Sequence, residues 1–112
     1  MAMSPNAEGN TAPGGELQPY RQQLDEINQA LMNLLAQRME VCRVIARVKS
    51  ANGIPMMQPH RVTSTLEMAK SMAPKHKLRP EYVGDLFALI IKETCDEEQR
   101  LMDALDQSHV EE

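Results

Sequence analysis

A chain of 112 residues with a formal net charge of −4 suits one small domain and is poor material for gripping nucleic acid, which calls for a clustered basic surface that no run here provides. Only three residues are aromatic, two tyrosines and one phenylalanine, so the core must be aliphatic and drawn partly from the nine methionines, a composition better suited to helices than to sheets. Two cysteines, Cys42 and Cys95, lack any Cys-x-x-Cys or Cys/His spacing, which argues against a metal or redox site and for reduced thiols in a reducing compartment. No apolar run approaches the roughly 20 residues of a membrane span. No charged-then-apolar leader opens the chain, so a cytoplasmic protein is expected.

Residues 1–16, "MAMSPNAEGNTAPGGE", have no apolar periodicity and read as a disordered tail. From about Leu17 to Ser50 apolar residues recur every three to four positions, with neither Gly nor Pro after Pro19, which predicts one long helix. "ANGIP" stops it, because Gly53 can take positive φ and Pro55 cannot continue a helix. In "QPHRVTSTLEMAKSMA" Pro59 falls in a first turn, and Val62, Leu66, Ala69 and Met72 or Ala73 share a face of a shorter helix.

"PKHKL" is a polar connector, and Pro80 opens a third helix that runs to about Asp106. Gly84 weakens that helix locally, so a close helix contact is expected there. The fold class is therefore all-α, with helices long, short and long. The helical domain spans 17–107, and 108–112 form a disordered end. A first helix roughly 50 Å long cannot be covered by two shorter ones, so a homodimer with long helices packed across the two chains is the economical solution.

The seam of the first helix reads Leu24, Ile27, Leu31, Leu34, then Arg38, then Val41, Ile45 and Val48. A guanidinium in a leucine slot stays buried only with an anionic partner, either a carboxylate such as Glu93 or Asp96 or a ligand. Lys49, eleven residues on, returns to within about 20° of the same face. Arg21 lies about 25 Å along the axis and about 100° around it from Arg38, so it serves that site only from the other copy of an antiparallel dimer.

In the third helix the row Phe87, Ile90 continues through Thr94 and Glu98 before Leu101 and Leu105 resume. Glu98 either pairs with Arg38 or Lys49 and only locks the bundle, or belongs to a site. Cations, a hydroxyl and one carboxyl converging on a helical interior point to a small polyanionic ligand, handled by positioning and electrostatics with no covalent intermediate.

The run "RQQLDEINQALMNLLAQR" from Arg21 to Arg38, then Lys49, then Arg61 after a proline-containing link, then "LFALII" from Leu86, resembles the all-α class of chorismate mutases over Leu17 to Leu105. The resemblance implies an intertwined homodimer and the Claisen-type rearrangement of chorismate, a dicarboxylate, to prephenate without cofactor or metal. It implies that Arg38 pairs with one substrate carboxylate and that Arg21 crosses from the other subunit to the second. It further implies that Lys49 meets the ether oxygen, that Arg61 lies by the pocket mouth, and that Thr94 supplies a hydroxyl near a carboxylate.

The chain departs from the family pattern at three places. Gln58 and Val62 stand where many bacterial members carry an acidic residue and a glutamate that holds the ring hydroxyl. Either Val62 only packs, or the substrate differs at C4. The alternatives are a 4-amino-4-deoxychorismate mutase of secondary metabolism and, third, an isochorismate pyruvate lyase. Glu98 replaces a glutamine that donates to the ether oxygen, and a carboxyl donates only when protonated. Activity on chorismate is then expected to fall as pH rises and Glu98 ionises. Outside enzymes, the same heptads would serve a helical dimerisation or regulatory module.

Overall fold

The computed structural model describes residues 14–111, with side chains through residue 107. Three α-helices follow one another: α1 (Gln18–Asn52), α2 (Pro59–Met72) and α3 (Pro80–Glu111). Short 3-10 turns precede α1 at Gly15–Leu17 and follow α2 at Ala73–His76, and no strand occurs among the described residues. The expected tail lies outside the described residues as far as position 13, while Gly15 and Glu16 already belong to the 3-10 turn. At the other end α3 runs on to Glu111, past the expected boundary near 107. The stretch 101–111 holds no Gly or Pro to stop it.

Both sharp helix stops use the same device. Gly53 takes φ 65, and the Ile54 N–H donates to the Lys49 carbonyl at 2.9 Å, closing the six-to-one bond of a left-handed helix cap. Lys77 takes φ 61, and the Leu78 N–H donates to the Ala73 carbonyl at 3.0 Å. Glycine takes this conformation without cost, whereas a lysine there is strained. At the start of α2, Gln58 holds the cap position ahead of Pro59 but makes no side-chain capping bond.

By its packing the chain divides into two compact units, Met1–Arg38 and Met39–Glu112, with the division falling inside the unbroken α1. In the first unit the described part of α1 is an amphipathic helix whose apolar row lies open. Leu24, Ile27, Leu31 and Leu34 are each more than half exposed.

In the second unit α2 packs along α3 through Ala69, Ala73 and Val83, with Phe87 against them. Gly84 is buried at this crossing, and a Cβ added to it would sit 2.8 Å from Cε of Lys70, so the expected close contact is present. Cys42 and Ala46 are the buried residues of α1 in this unit, Ala46 with 0% exposure. Val41, Ile45 and Val48 remain 42–58% exposed. The α1 face turned inward within the chain is thus the small-residue row, and the apolar seam read from sequence is left uncovered. Among the described residues no large side chain is fully buried. Burial of only small side chains stabilises a domain weakly, since each large apolar side chain buried contributes about 1.5–3 kcal/mol.

Candidate active site

Lys49 and Glu98 meet across α1 and α3. The Lys49 Nζ donates to Glu98 Oε1 at 3.0 Å and to the Met56 carbonyl at 2.7 Å. Glu98 is 6% exposed, and the Lys49 side chain is 15% exposed. Of the partners weighed for Glu98, the structure gives Lys49. An ammonium carries three N–H groups, and two of them are committed here. In this pair the carboxyl oxygen accepts and Lys49 donates.

One turn before Glu98 on α3, Thr94 is buried and its hydroxyl donates to the Ile90 carbonyl at 2.9 Å. The α1–α2 connector brings Met56 to this cluster and then presents Gln58 and Arg61, both exposed, and the half-buried Val62. The N–H groups of Arg61 and Val62 donate to the carbonyl of the capping Gln58, which closes the first turn of α2. Arg21 and Arg38 belong to the first unit, Arg21 exposed and Arg38 half-buried. On α3, Glu93 pairs with Arg100 at 3.3 Å and Asp96 with Lys92 at 3.0 Å.

Two groups at this interface escaped the sequence reading. The Met56 carbonyl is a backbone acceptor whose place depends on how the connector folds. Arg43 lies on α1 and donates from Nε to Glu97 Oε2 at 2.8 Å, while Glu97 Oε1 meets Arg100 at 2.9 Å. Hydrogen bonds from Arg43 first, and then from Arg100, hold the Glu97 carboxyl below the usual carboxylate range. Cys95 lies near the Lys49–Glu98 pair: burial first, and then the Glu98 charge, push its thiol up while Lys49 opposes. A thiol held protonated is a poor nucleophile. The only advance signal for Arg43 and Glu97 was a charge on the flank of each inward row.

No group of three or more His, Cys, Asp or Glu among the described residues is arranged to hold a metal ion, and no helix among them is long and apolar enough to cross a membrane. The chemistry on offer is a fixed cation, its carboxylate and a buried hydroxyl between two helices of an all-α fold. Such a set can stabilise negative charge developing on a bound oxygen.

The chain belongs to the chorismate mutase type II family, whose model matches residues 20–99. It is therefore an enzyme, an isomerase acting on a chorismate-type substrate. Among curated proteins it is 34% identical over 92 residues to a 4-amino-4-deoxychorismate mutase of Streptomyces pristinaespiralis, covering 82% of this chain and 71% of that protein. It is 37% identical over 87 residues to a 4-amino-4-deoxychorismate mutase of Streptomyces venezuelae, covering 78% of this chain and 84% of the relative. The T-protein of Enterobacter agglomerans is 31% identical over 83 residues, which are 74% of this chain and 22% of that longer protein.

Proposed function

We propose that this mutase rearranges 4-amino-4-deoxychorismate in preference to chorismate, in a homodimer whose Arg21 side chains reach across to the partner's site. The observation that carries the choice of substrate is Val62, half-buried on the first turn of α2, with Gln58 one turn before it. A carboxylate at either place would grip a ring hydroxyl with a charge-assisted hydrogen bond, and a site built that way rejects analogues strongly. Valine offers no acceptor and Gln58 offers a neutral one, so the hydroxyl loses its privileged contact. The kinship to two mutases named for the amino compound supports the same reading.

In the rearrangement the ether C–O bond breaks while a C–C bond forms between the enolpyruvyl methylene and the ring. Six electrons shift around a cycle, and no proton or cofactor takes part. Negative charge grows on the ether oxygen, and the free N–H of Lys49 meets it where it develops, which favours the transition state over the ground state. Glu98 and the Met56 carbonyl aim that ammonium. Arg38 and the partner's Arg21 clamp the two substrate carboxylates in the folded conformer, with Arg61 at the mouth and Thr94 beside a carboxylate.

The dimer accounts for the open apolar row of α1, which no part of the described chain buries. A row of that length on a helix of 35 residues is the kind of surface a second long helix covers. Chorismate itself is the second reading, supported by kinship to a bifunctional chorismate mutase/prephenate dehydratase of Buchnera aphidicola, 29% identical over 87 residues.

The test is turnover of chorismate, the amino analogue and isochorismate by the purified protein, with products identified by mass. The expected outcome is a kcat/KM for the amino analogue about tenfold or more above that for chorismate, shifted back by Val62→Glu. Prephenate as the main product would establish the second reading. Salicylate and pyruvate from isochorismate would mean a lyase, and no turnover of any of the three would defeat the proposal.

A further inference from the structure

Two ion pairs cross from α1 to α3 in the second unit, Lys49–Glu98 and Arg43–Glu97. At about 100° per residue, Arg43 and Lys49 stand about 60° to either side of Ala46 around α1. Ala46 has no exposed surface at all. On α3, Thr94 falls between Glu97 and Glu98 by the same arithmetic, about 60° from one and about 40° from the other. Thr94 is buried as well. Each helix thus offers a small buried residue with a charged one on either flank, and the flanking charges bind across the seam.

Rows of small residues give two helices little to interlock, so nothing in such rows stops one helix from rolling against the other. Two attachments on opposite flanks remove that freedom. We infer that Arg43 and Glu97 are positioning residues for the reaction: their bond sets the roll of α3 against α1 and thereby the place at which Glu98 presents Lys49 to the substrate. The inference rests on the reading of Lys49 as the group that meets the ether oxygen.

The pair is built for this in its surroundings. Glu97 is three-quarters buried and held by two guanidinia, one on each oxygen. Arg43 is held in turn by Glu40 at 3.2 Å, one turn before it on α1. A side chain about 5–6 Å from a helix axis moves about 1 Å when the helix rolls by about 10°. A misplacement of about 1 Å can cost on the order of a hundredfold in rate. Lys49–Glu98 itself resists part of the roll, so a loss of about tenfold is expected.

The experiment compares Arg43→Gln, Glu97→Gln, the double variant and Arg43→Lys, all in the full chain. Two readouts are taken: kcat on whichever substrate the unaltered protein turns over best, and the rate at which iodoacetamide alkylates Cys42, which is buried on α1 beside Arg43. Each glutamine variant should lower kcat about tenfold with KM little changed, and the double should be no worse than either single, because one bond is lost in all three. Arg43→Lys should recover most of the rate. Cys42 should be alkylated severalfold faster in both glutamine variants.

A clamp that only held the fold would lower the melting temperature and leave kcat unmoved below it. Either readout staying within about twofold of the unaltered protein in both glutamine variants overturns the inference. Should the unaltered protein turn over none of the substrates, the proposed function fails and the positioning role fails with it, while the alkylation rates still show whether the Arg43–Glu97 bond holds α3 against α1.

Discussion

Removing one member of the Lys49–Glu98 pair should destabilise the protein far more than removing both. With Lys49→Met, Glu98 stays 6% exposed without its cation, and the Met56 carbonyl loses its donor. Breaking one side of a fully buried pair costs about 3–5 kcal/mol. Lys49 is 15% exposed, so the lower end applies and about 3 kcal/mol is expected. Glu98→Leu leaves an ammonium that retains the Met56 carbonyl and some solvent, for a cost of about 2 kcal/mol. The double variant, apolar on both sides, should return to within about 1 kcal/mol of the starting stability. At about 4–8 °C per kcal/mol for a domain of this size, Lys49→Met should melt roughly 12–24 °C lower. Thermal unfolding followed by circular dichroism at fixed protein concentration gives all four corners of the cycle. Costs of the two single changes that simply add in the double would refute the reasoning, since they would mean the two charges do not depend on each other for burial.

Other expectations follow from single features. If the proposed homodimer shares its sites as described, Arg21→Ala and Arg38→Ala should each abolish turnover, yet unfolding and refolding them together should restore about a quarter of normal activity, because half the dimers would be mixed and each would have one intact site. Continued inactivity of the mixture would mean Arg21 serves its own chain. Lys77 is held at φ 61, so Lys77→Gly should raise stability by about 0.5–1 kcal/mol, read as a higher melting temperature. Glu97 has its pKa lowered by Arg43 and Arg100, so its contribution is present above the unfolded carboxyl value, about 4.3, and is lost as pH falls through the folded value. Melting temperatures of the unaltered protein and Glu97→Gln should therefore differ at neutral pH and converge on acidification below about pH 4.

The three helices were legible because each carries its signal locally: the 3–4 apolar spacing, Pro59 and Pro80 at helix starts, and Gly53 at a stop. The far end of α3 was not, since a polar stretch such as 106–111 reads as an end although nothing in it breaks a helix. The face that α1 buries within its own chain was hard to see for a related reason. Hydropathy picks out Val41, Ile45 and Val48, whereas the residues of α1 buried within the chain are Cys42 and Ala46, whose small side chains carry little apolar weight. Arg38 and Glu98 stood out because each interrupts an apolar row, and Lys49 because it lies eleven residues beyond Arg38 on the same face. Arg43 and Glu97 look like any solvated charge on a helix flank, and only the approach of α3 to α1 gives them a meaning. The Met56 carbonyl is invisible to sequence altogether, because every residue has one.

Lys49 is held at both ends. Its carbonyl accepts the Ile54 N–H that closes the cap of α1, and its ammonium binds the carbonyl of Met56, two residues further along the same connector. The connector therefore acts as a measured spacer, its length matched to the reach of one lysine side chain. Surface loops ordinarily absorb insertions and deletions at little cost. Adding or deleting a single residue between positions 53 and 56 would instead uncouple the cap from the ammonium. Substitutions along this loop leave that spacing intact, so for the position of the ammonium the residue count matters as much as the identity of Lys49.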